Sequence, residues 1–205
     1  MFNSMQGRTH LRVGLASGVA VDFFSTNLDV FSLTMNVAVA AVAALVPDLD
    51  EDGSYINKLL FSFLKKQYRS LALLCLGVLL MIAYGFLPWP LWVLLLGIYF
   101  AGVAYIPHRS LTHSLLGMAY VMGIVYLAIP DYFLAFAAGY LSHLIADAIT
   151  VAGIPLFWPY PKKLGLKQLG LKVRTGQTTD IYLGRITLIF ACLGYVYLLG
   201  RAFIS

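Results

Sequence analysis

Long apolar runs, separated by short polar or proline-containing segments, dominate this chain. Pro, Gly and clusters of charge divide it into seven apolar segments, each near the length of about 20 residues that a helix needs to cross a bilayer. The predicted segments are roughly 10–28, 30–46, 69–87, 89–106, 111–129, 132–151 and 181–202. The pattern predicts an all-α fold, a polytopic transmembrane helical bundle with about six to seven spans.

The first segment is the least regular of the seven. It carries Arg12 and Asp22, which are costly inside a bilayer. Two arrangements are therefore open for it: a helix that enters the bundle at least part way, or an amphipathic helix in the membrane interface.

Composition excludes a soluble domain. Of the 205 residues, 60% are hydrophobic and 11% are charged, against roughly 45–50% and about 25% in soluble domains. We expect a single integral membrane domain over residues 1–205, with surface loops at about 48–68 and 152–180. Cys75 and Cys192 lie in apolar runs, which predicts buried, unpaired thiols and no disulfide framework.

Basic residues crowd alternate connections between the segments, which predicts the orientation of the chain. On one side are Lys58, Lys65, Lys66 and Arg69, then Lys162, Lys163, Lys167, Lys172 and Arg174, with Arg8, Arg12 and Arg109 at segment ends. Seven crossings then place the amino terminus in the cytosol and the carboxyl terminus outside. The net charge of +5 fits contact with anionic lipid rather than nucleic acid, because the chain has no soluble basic module.

Ionisable residues inside a span carry the strongest functional signal. His143 and Asp147 are four residues apart, so they lie on one face of the sixth predicted helix. Such a pair within a membrane is by default a functional-site hypothesis, with a hydrogen bond that locks helix packing as the alternative.

The start of the fifth predicted span is a second candidate site. Ser110 is predicted to cap this helix, which would place His113 in its first turn, where the helix dipole favours an anion. Arg109 adds a planar donor suited to phosphate or carboxylate. A simple capping turn would explain Ser110 and Arg109 equally well, but it would not explain the presence of both His108 and His113.

Four acidic residues follow the second predicted span, in the segment 48–52. Acids at a helix carboxyl end oppose the macrodipole, so a cation is expected nearby. Asp48 and Asp50, at the membrane face, are better ligand candidates than Glu51 and Asp52, which fit a solvated loop.

The topology brings these segments to one level of the bundle, near its cytosolic face. Imidazole and carboxylate groups without thiolates suit zinc first, with Mn²⁺ or Fe²⁺ as alternatives, and there are enough of them for one or two ions. The predicted ligands are His10, Asp48, Asp50, His113, His143 and Asp147.

The same motifs resemble the YdjM family of membrane-bound, metal-dependent hydrolases, known from bacterial members as LexA-regulated. The matching residues are Thr9-His10, Pro47-Asp48-Leu49-Asp50, the block from His108 to Ser114, the block from Gly139 to Thr150, Gly153 and Trp158-Pro159. The order His, Asp, His, His-x-x-x-Asp also has a distant similarity to zinc-dependent phospholipase C. The family tends to carry a Glu after Thr175-Gly176; here Asp180 stands there, which leaves open whether that acid is a ligand.

The resemblance implies a hydrolase of the bacterial inner membrane that cleaves an ester or phosphoester. The depth of the site favours a lipid-like substrate over a soluble polymer. In this interpretation Arg109 holds the anionic group, and His108 is a ligand or a general acid. The alternatives are a transporter or metal channel built from the same residues, and a structural membrane protein with a vestigial site.

Overall fold

The computed structural model describes residues 7–26, 29–165 and 178–204, which form eight α-helices and no β-strand. The helices are α1 (Gly7–Phe23), α2 (Val30–Ala43), α3 (Tyr55–Leu60), α4 (Arg69–Phe86), α5 (Leu91–Val103), α6 (Leu115–Ala128), α7 (Phe133–Ala148) and α8 (Thr178–Ile204). The predicted all-α fold is therefore confirmed.

Each of the seven predicted segments overlaps one of the seven long helices, and the short helix α3 lies in the loop between α2 and α4. The stretches Val30–Asp50, Lys66–Phe86 and Thr178–Ile204 are long and apolar enough to cross a membrane, while α5 and α6 are shorter apolar helices. A helical membrane bundle is the architecture that this set of helices supports.

The helix α1 packs against α2, α7 and α8. Glycines allow this close approach: a Cβ at Gly14 would lie 2.8 Å from the carbonyl oxygen of Ala40, and one at Gly18 would lie 2.6 Å from the Cα of Val37. The structure thus favours a bundle helix over an interfacial one. Its residue Asp22 is fully buried and accepts a hydrogen bond of 2.8 Å from the Asn36 side chain.

The outer surface of the bundle is apolar. Large side chains such as Leu79, Phe86 and Phe190 are 61%, 85% and 68% exposed, as expected for residues that face lipid. The expectation that Cys75 and Cys192 are buried is wrong, because both are exposed on this surface. An apolar helix in a membrane places such residues outward at no cost, since lipid is as apolar as a protein core.

The loop between α2 and α4 is ordered by side-chain hydrogen bonds. It contains 3₁₀ turns at Val46–Asp50 and Lys66–Tyr68. The buried Asn57 amide donates to the carbonyls of Leu49 and Glu51, both at 2.9 Å. This fixes the backbone that carries Asp48 and Asp50.

The loop after α7 is described as far as residue 165. Ile154 is buried and pairs in an isolated antiparallel bridge with Leu164. The part of the predicted surface loop that carries Lys167, Lys172 and Arg174 lies outside the described residues.

Candidate metal centre

Four chain segments bring polar side chains to one end of the bundle, which we call the site end. His10 lies in the first turn of α1, Asp48 and Asp50 in the 3₁₀ turn after α2, and His108 and His113 just before α6. His143 and Asp147 occupy the last two turns of α7. The short connections make neighbouring helices antiparallel, so these termini meet although they are distant in sequence.

Within the described residues, these side chains form two groups that could hold a metal ion. One contains His10, His143 and Asp147, the other Asp48, His108 and His113, and within each group one ligand atom per residue lies within 4.8 Å of the others. The groups adjoin, because His113 Nε2 lies 3.2 Å from His143 Nε2 and 3.6 Å from an Asp147 oxygen.

Hydrogen bonds to Nδ1 orient three of the four histidines. His143 Nδ1 lies 2.7 Å from the Ala44 carbonyl, and His108 Nδ1 lies 2.7 Å from an Asp50 carboxylate oxygen. His113 Nδ1 lies 3.0 Å from the Thr112 hydroxyl, which itself donates to Asp50. These partners assign the proton to Nδ1 in each neutral ring and leave Nε2 as a bare acceptor.

Bare acceptors therefore face one another at the centre of the site. The Nε2 lone pairs of His113 and His143 meet at 3.2 Å, and Asp48 Oδ1 lies 3.6 and 3.7 Å from the same two atoms. Two ligand nitrogens of a tetrahedral zinc ion lie about 3.3 Å apart. This geometry suits a cation between them.

Several buried atoms in the site have no hydrogen-bond partner. They are both ring nitrogens of His10, Asp48 Oδ1, Asp147 Oδ1, and the Nε and Nη1 atoms of Arg109. Buried polar atoms are normally paired, since each unpaired one costs about 1–3 kcal/mol. The donor set of imidazole nitrogens and carboxylate oxygens fits a divalent transition metal.

Asp50 lies in neither of the two groups, although the sequence predicts it as a ligand. Its oxygens are occupied by His108 Nδ1 at 2.7 Å, the Thr112 hydroxyl at 2.5 Å and the Arg109 backbone N–H at 3.3 Å. The structure instead places His108 with Asp48 and His113. In this arrangement Asp50 acts on the site through the groups that it holds.

Arg109 turns inward and pairs with Asp147. One guanidinium nitrogen, Nη2, lies 2.6 Å from Asp147 Oδ2, and the residue is 6% exposed. Its φ of 60° places a non-glycine residue in the left-handed region, which is unusual and is concentrated at functional sites.

The predicted cap of the fifth span is wrong. Ser110 donates its hydroxyl to the Pro107 carbonyl, and residues 111–113 form a separate 3₁₀ turn. The helix begins at Leu115, and Ser114 caps it by accepting from the Gly117 backbone N–H. His113 therefore precedes the helix instead of lying in its first turn. The run of apolar residues hid this break, because Leu111 continues the hydrophobic pattern.

Two buried residues hold the site although the sequence pattern gave them no role. Thr112 joins His113 to Asp50, and Tyr140 on α7 donates its hydroxyl to the Thr112 carbonyl at 2.6 Å. The position of Thr112 next to a histidine was a weak signal, but its partner is 62 residues away. Asp180 is also fully buried, in the first turn of α8, and interacts electrostatically with His10.

Comparison with known proteins adds an independent observation. A family model described as YdjM inner membrane protein matches residues 5–203 of this chain. The chain belongs to the YdjM family. The resemblance of its motifs to that family is therefore confirmed, and the chain is a bacterial inner membrane protein.

Individual YdjM relatives align to different extents. The inner membrane proteins YdjM of Escherichia coli and Shigella flexneri are each 42% identical over 59 residues, which span 25% of this chain and 30% of the relative. The uncharacterized protein YvsG of Bacillus subtilis is 29% identical over 202 residues, which cover 97% of this chain and 100% of the relative. No solved structure matches the chain significantly.

Proposed function

We propose that this YdjM-family protein is a membrane-embedded, metal-dependent hydrolase that cleaves an ester or phosphoester of a lipid-like substrate at the cytosolic face. Zinc is the metal that the donor set favours, with Mn²⁺ or Fe²⁺ as alternatives, in one or two ions. The proposed ligands are His10, Asp48, His113, His143 and Asp147.

One observation carries the proposal: the approach of His113 Nε2 and His143 Nε2 to 3.2 Å while both Nδ1 atoms face other partners. A purely structural histidine pair would place a proton between the two nitrogens. When both rings are neutral, that would require one ring to exchange its Nδ1 donor for an unpaired Nδ1 acceptor, facing either the Thr112 hydroxyl or the Ala44 carbonyl. A cation removes this conflict and also engages the unpaired oxygens of Asp48 and Asp147.

Each residue around the ligands has a proposed task. A bound divalent metal supplies a Lewis acid that makes water a stronger nucleophile at neutral pH. Arg109 keeps one nitrogen on Asp147, and its free Nε and Nη1 donors can hold an anionic substrate oxygen. The left-handed backbone conformation of Arg109 fits a role in which the direction of its side chain is important.

His108 is suited to contact with substrate, because it is 16% exposed while the other histidines are fully buried. Burial lowers the pKa of His108. The hydrogen bond and the negative charge of Asp50 together raise it by more than burial lowers it, so the net pKa lies above its ordinary value. A raised pKa keeps the ring protonated to higher pH, as a proton donor to a leaving group needs. As a ligand, the same residue would complete the group of Asp48 and His113.

Metal analysis tests the first half of the proposal. Protein purified without chelators is expected to contain at least one equivalent of a transition metal, removable by a chelator and restored by zinc. Less than about a tenth of an equivalent would contradict it.

Hydrolysis tests the second half. Vesicles of bacterial phospholipids are incubated with metal-loaded protein, with chelated protein, and with a His143→Ala variant, and released headgroups and fatty acids are measured. We expect release only with the metal-loaded wild type. Metal uptake into sealed vesicles without lipid cleavage would instead favour a transporter.

One observation bears on that transport alternative. The buried carboxylate of Asp22 lies near the opposite end of α1 from His10, where a polar path would have to continue. Between them, Gly14 and Gly18 press α1 against the backbone of α2. This close packing argues against a path for ions along the interface.

A further inference from the structure

An apolar cleft separates α5 from α6 beside the candidate metal centre. Its volume is about 160 Å³. Its lining includes Ile98, Tyr99, Gly102 and Val103 on α5, and Gly117 and Tyr120 on α6. Leu111, from the turn before α6, lines its end nearest the metal centre.

Two glycines shape this cleft in different ways. A Cβ at Gly102 would meet no atom closer than Ile106 Cδ1 at 4.0 Å, so the missing side chain leaves open space. A Cβ at Gly117 would overlap the carbonyl of Leu111, so this glycine lets the turn pack tightly against α6. The cleft therefore ends at the turn that carries Leu111, and it is empty at Gly102.

The cleft opens on the outer surface of the bundle. Ile98 and Tyr120 are 45% and 36% exposed, whereas Tyr99 and Val103 at its floor are 7% and 2% exposed. The Tyr120 hydroxyl donates to the Leu95 carbonyl at 2.9 Å, which holds the two helices together at the end of the cleft away from the metal centre. A ligand would therefore enter sideways, from the hydrocarbon region of the membrane.

The inner end of the cleft adjoins the site. Leu111 is two residues from both Arg109 and His113, so their Cα atoms are separated by at most about 7.6 Å. Arg109, in the chain segment just before this turn, has two buried donor nitrogens without partners, Nε and Nη1. An amphiphile with its chain in the cleft would carry an anionic head into reach of a fixed cation.

We propose that the cleft between α5 and α6 binds an acyl chain of an anionic lipid whose headgroup linkage lies at Arg109 and the candidate metal centre. This rests on the proposed function for the headgroup end, whereas the chain end rests on the cleft itself. Apolar cavities of about 150 Å³ exclude water and accept apolar guests. At a lipid-facing mouth the apolar guest at hand is a hydrocarbon chain.

Photo-crosslinking tests the occupant without requiring hydrolysis. The probe is phosphatidylglycerol with a diazirine in one acyl chain, at low mole fraction in phosphatidylcholine nanodiscs that hold the wild-type protein. Labelling is expected to be saturable and to map to the α5 and α6 peptides with Ile98 and Tyr120. Replacing Gly102 with Leu fills the open space with a side chain. About two methylene groups of the lipid chain then lose their place in the cleft, which should weaken binding roughly tenfold.

The matched control is Gly123→Leu on α6. Gly123 has no atom within 4 Å of its Cβ position and does not line the cleft, so it tests the same exchange on a lipid-facing surface. Saturable labelling should persist in Gly123→Leu and fall in Gly102→Leu, with the metal content unchanged in both. A second cleft variant, Ile98→Trp, blocks the mouth and should reduce labelling in the same way if Gly102→Leu does not fold.

The outcomes separate this inference from the proposed function. Saturable labelling that Gly102→Leu or Ile98→Trp removes supports the cleft even if no lipid is hydrolysed. Labelling that is unsaturable, or equal in the cleft variants and Gly123→Leu, overturns it even if the protein is an active metal-dependent hydrolase.

Discussion

Asp147 contacts three basic side chains of the site. One oxygen pairs with Arg109 Nη2 at 2.6 Å and lies 3.6 Å from His113 Nε2, and the other lies 3.4 Å from His10 Nε2. It thus combines two possible roles, as a metal ligand and as the counter-ion of a buried guanidinium. The two roles respond differently to loss of charge.

Asp147→Asn keeps the size of the side chain and removes its charge. If Asp147 is a ligand, metal content and hydrolysis fall together by an order of magnitude or more. Stability falls in either case, by roughly 3 kcal/mol, because Arg109 loses its buried counter-ion. Metal content per folded protein is therefore the deciding measurement.

Asp22→Asn is the matched control, since Asp22 is equally buried but lies in the half of α1 away from the site. There it accepts a hydrogen bond from Asn36 on α2. It should retain its metal. An Asp147→Asn variant that is less stable but keeps wild-type metal content would show that Asp147 serves only as the counter-ion of Arg109.

Thr112 is a positioning residue, because it acts on the site through His113. Thr112→Val is nearly isosteric but removes the hydroxyl that links His113 Nδ1 to Asp50. Loss of such a link to a metal-bound histidine typically lowers metal affinity about 10- to 100-fold. Competition with a chromogenic chelator measures this affinity, and Thr112→Ser should restore it. Equal affinity in the wild type and the Val variant would exclude the role.

At the scale of helices, glycine contacts set how closely the ligands can meet. A Cβ at Gly139 on α7 would overlap the Ala40 carbonyl on α2. The same two helices meet one turn further on, where His143 Nδ1 bonds the Ala44 carbonyl at 2.7 Å. Separation of α7 from α2 would therefore move His143 away from the other ligands.

Gly139→Ala should destabilise the protein by about 1–3 kcal/mol through overpacking and should lower metal affinity with it. Gly123→Ala, where the added methyl meets open space, should be neutral or slightly stabilising because alanine favours helix. Thermal unfolding in detergent, followed by circular dichroism with and without zinc, compares the two. A Gly139→Ala protein as stable as the wild type would show that α7 can shift without cost.

Sequence periodicity predicted the elements better than their contacts. Seven helices follow from apolar run length, and the placement of His143 and Asp147 in one group of possible ligands follows from their spacing on one helix. The bonds from Asp50 to His108 and Thr112 join positions 58 and 62 residues apart, which no local pattern encodes. The same limit explains why Ser110 was predicted as a helix cap, and why the hydrogen bonds of Asp50 were not predicted.

At the scale of the whole molecule, the site end carries most of the basic residues of the described chain. Arg8, Lys66, Arg69 and Lys162 lie at this end, whereas the opposite connections carry Asp29 and Asp131 and no basic residue among those described. By the positive-inside rule we therefore expect the candidate metal centre to face the cytosol and the carboxyl end of α8 to lie outside.

Cysteine labelling of intact cells tests this orientation. Cys75 and Cys192 are first replaced by Ala, and single cysteines are then introduced at Gln67 and Asp131, two exposed positions at opposite ends of the bundle. Ser54 is a poor probe position, because its hydroxyl caps α3 and it is 8% exposed. A membrane-impermeant maleimide should label position 131 directly and position 67 only after permeabilisation, since the bilayer lies between reagent and loop. The reverse pattern would place the metal centre on the outer face, where its substrate would have to be a lipid of the outer leaflet.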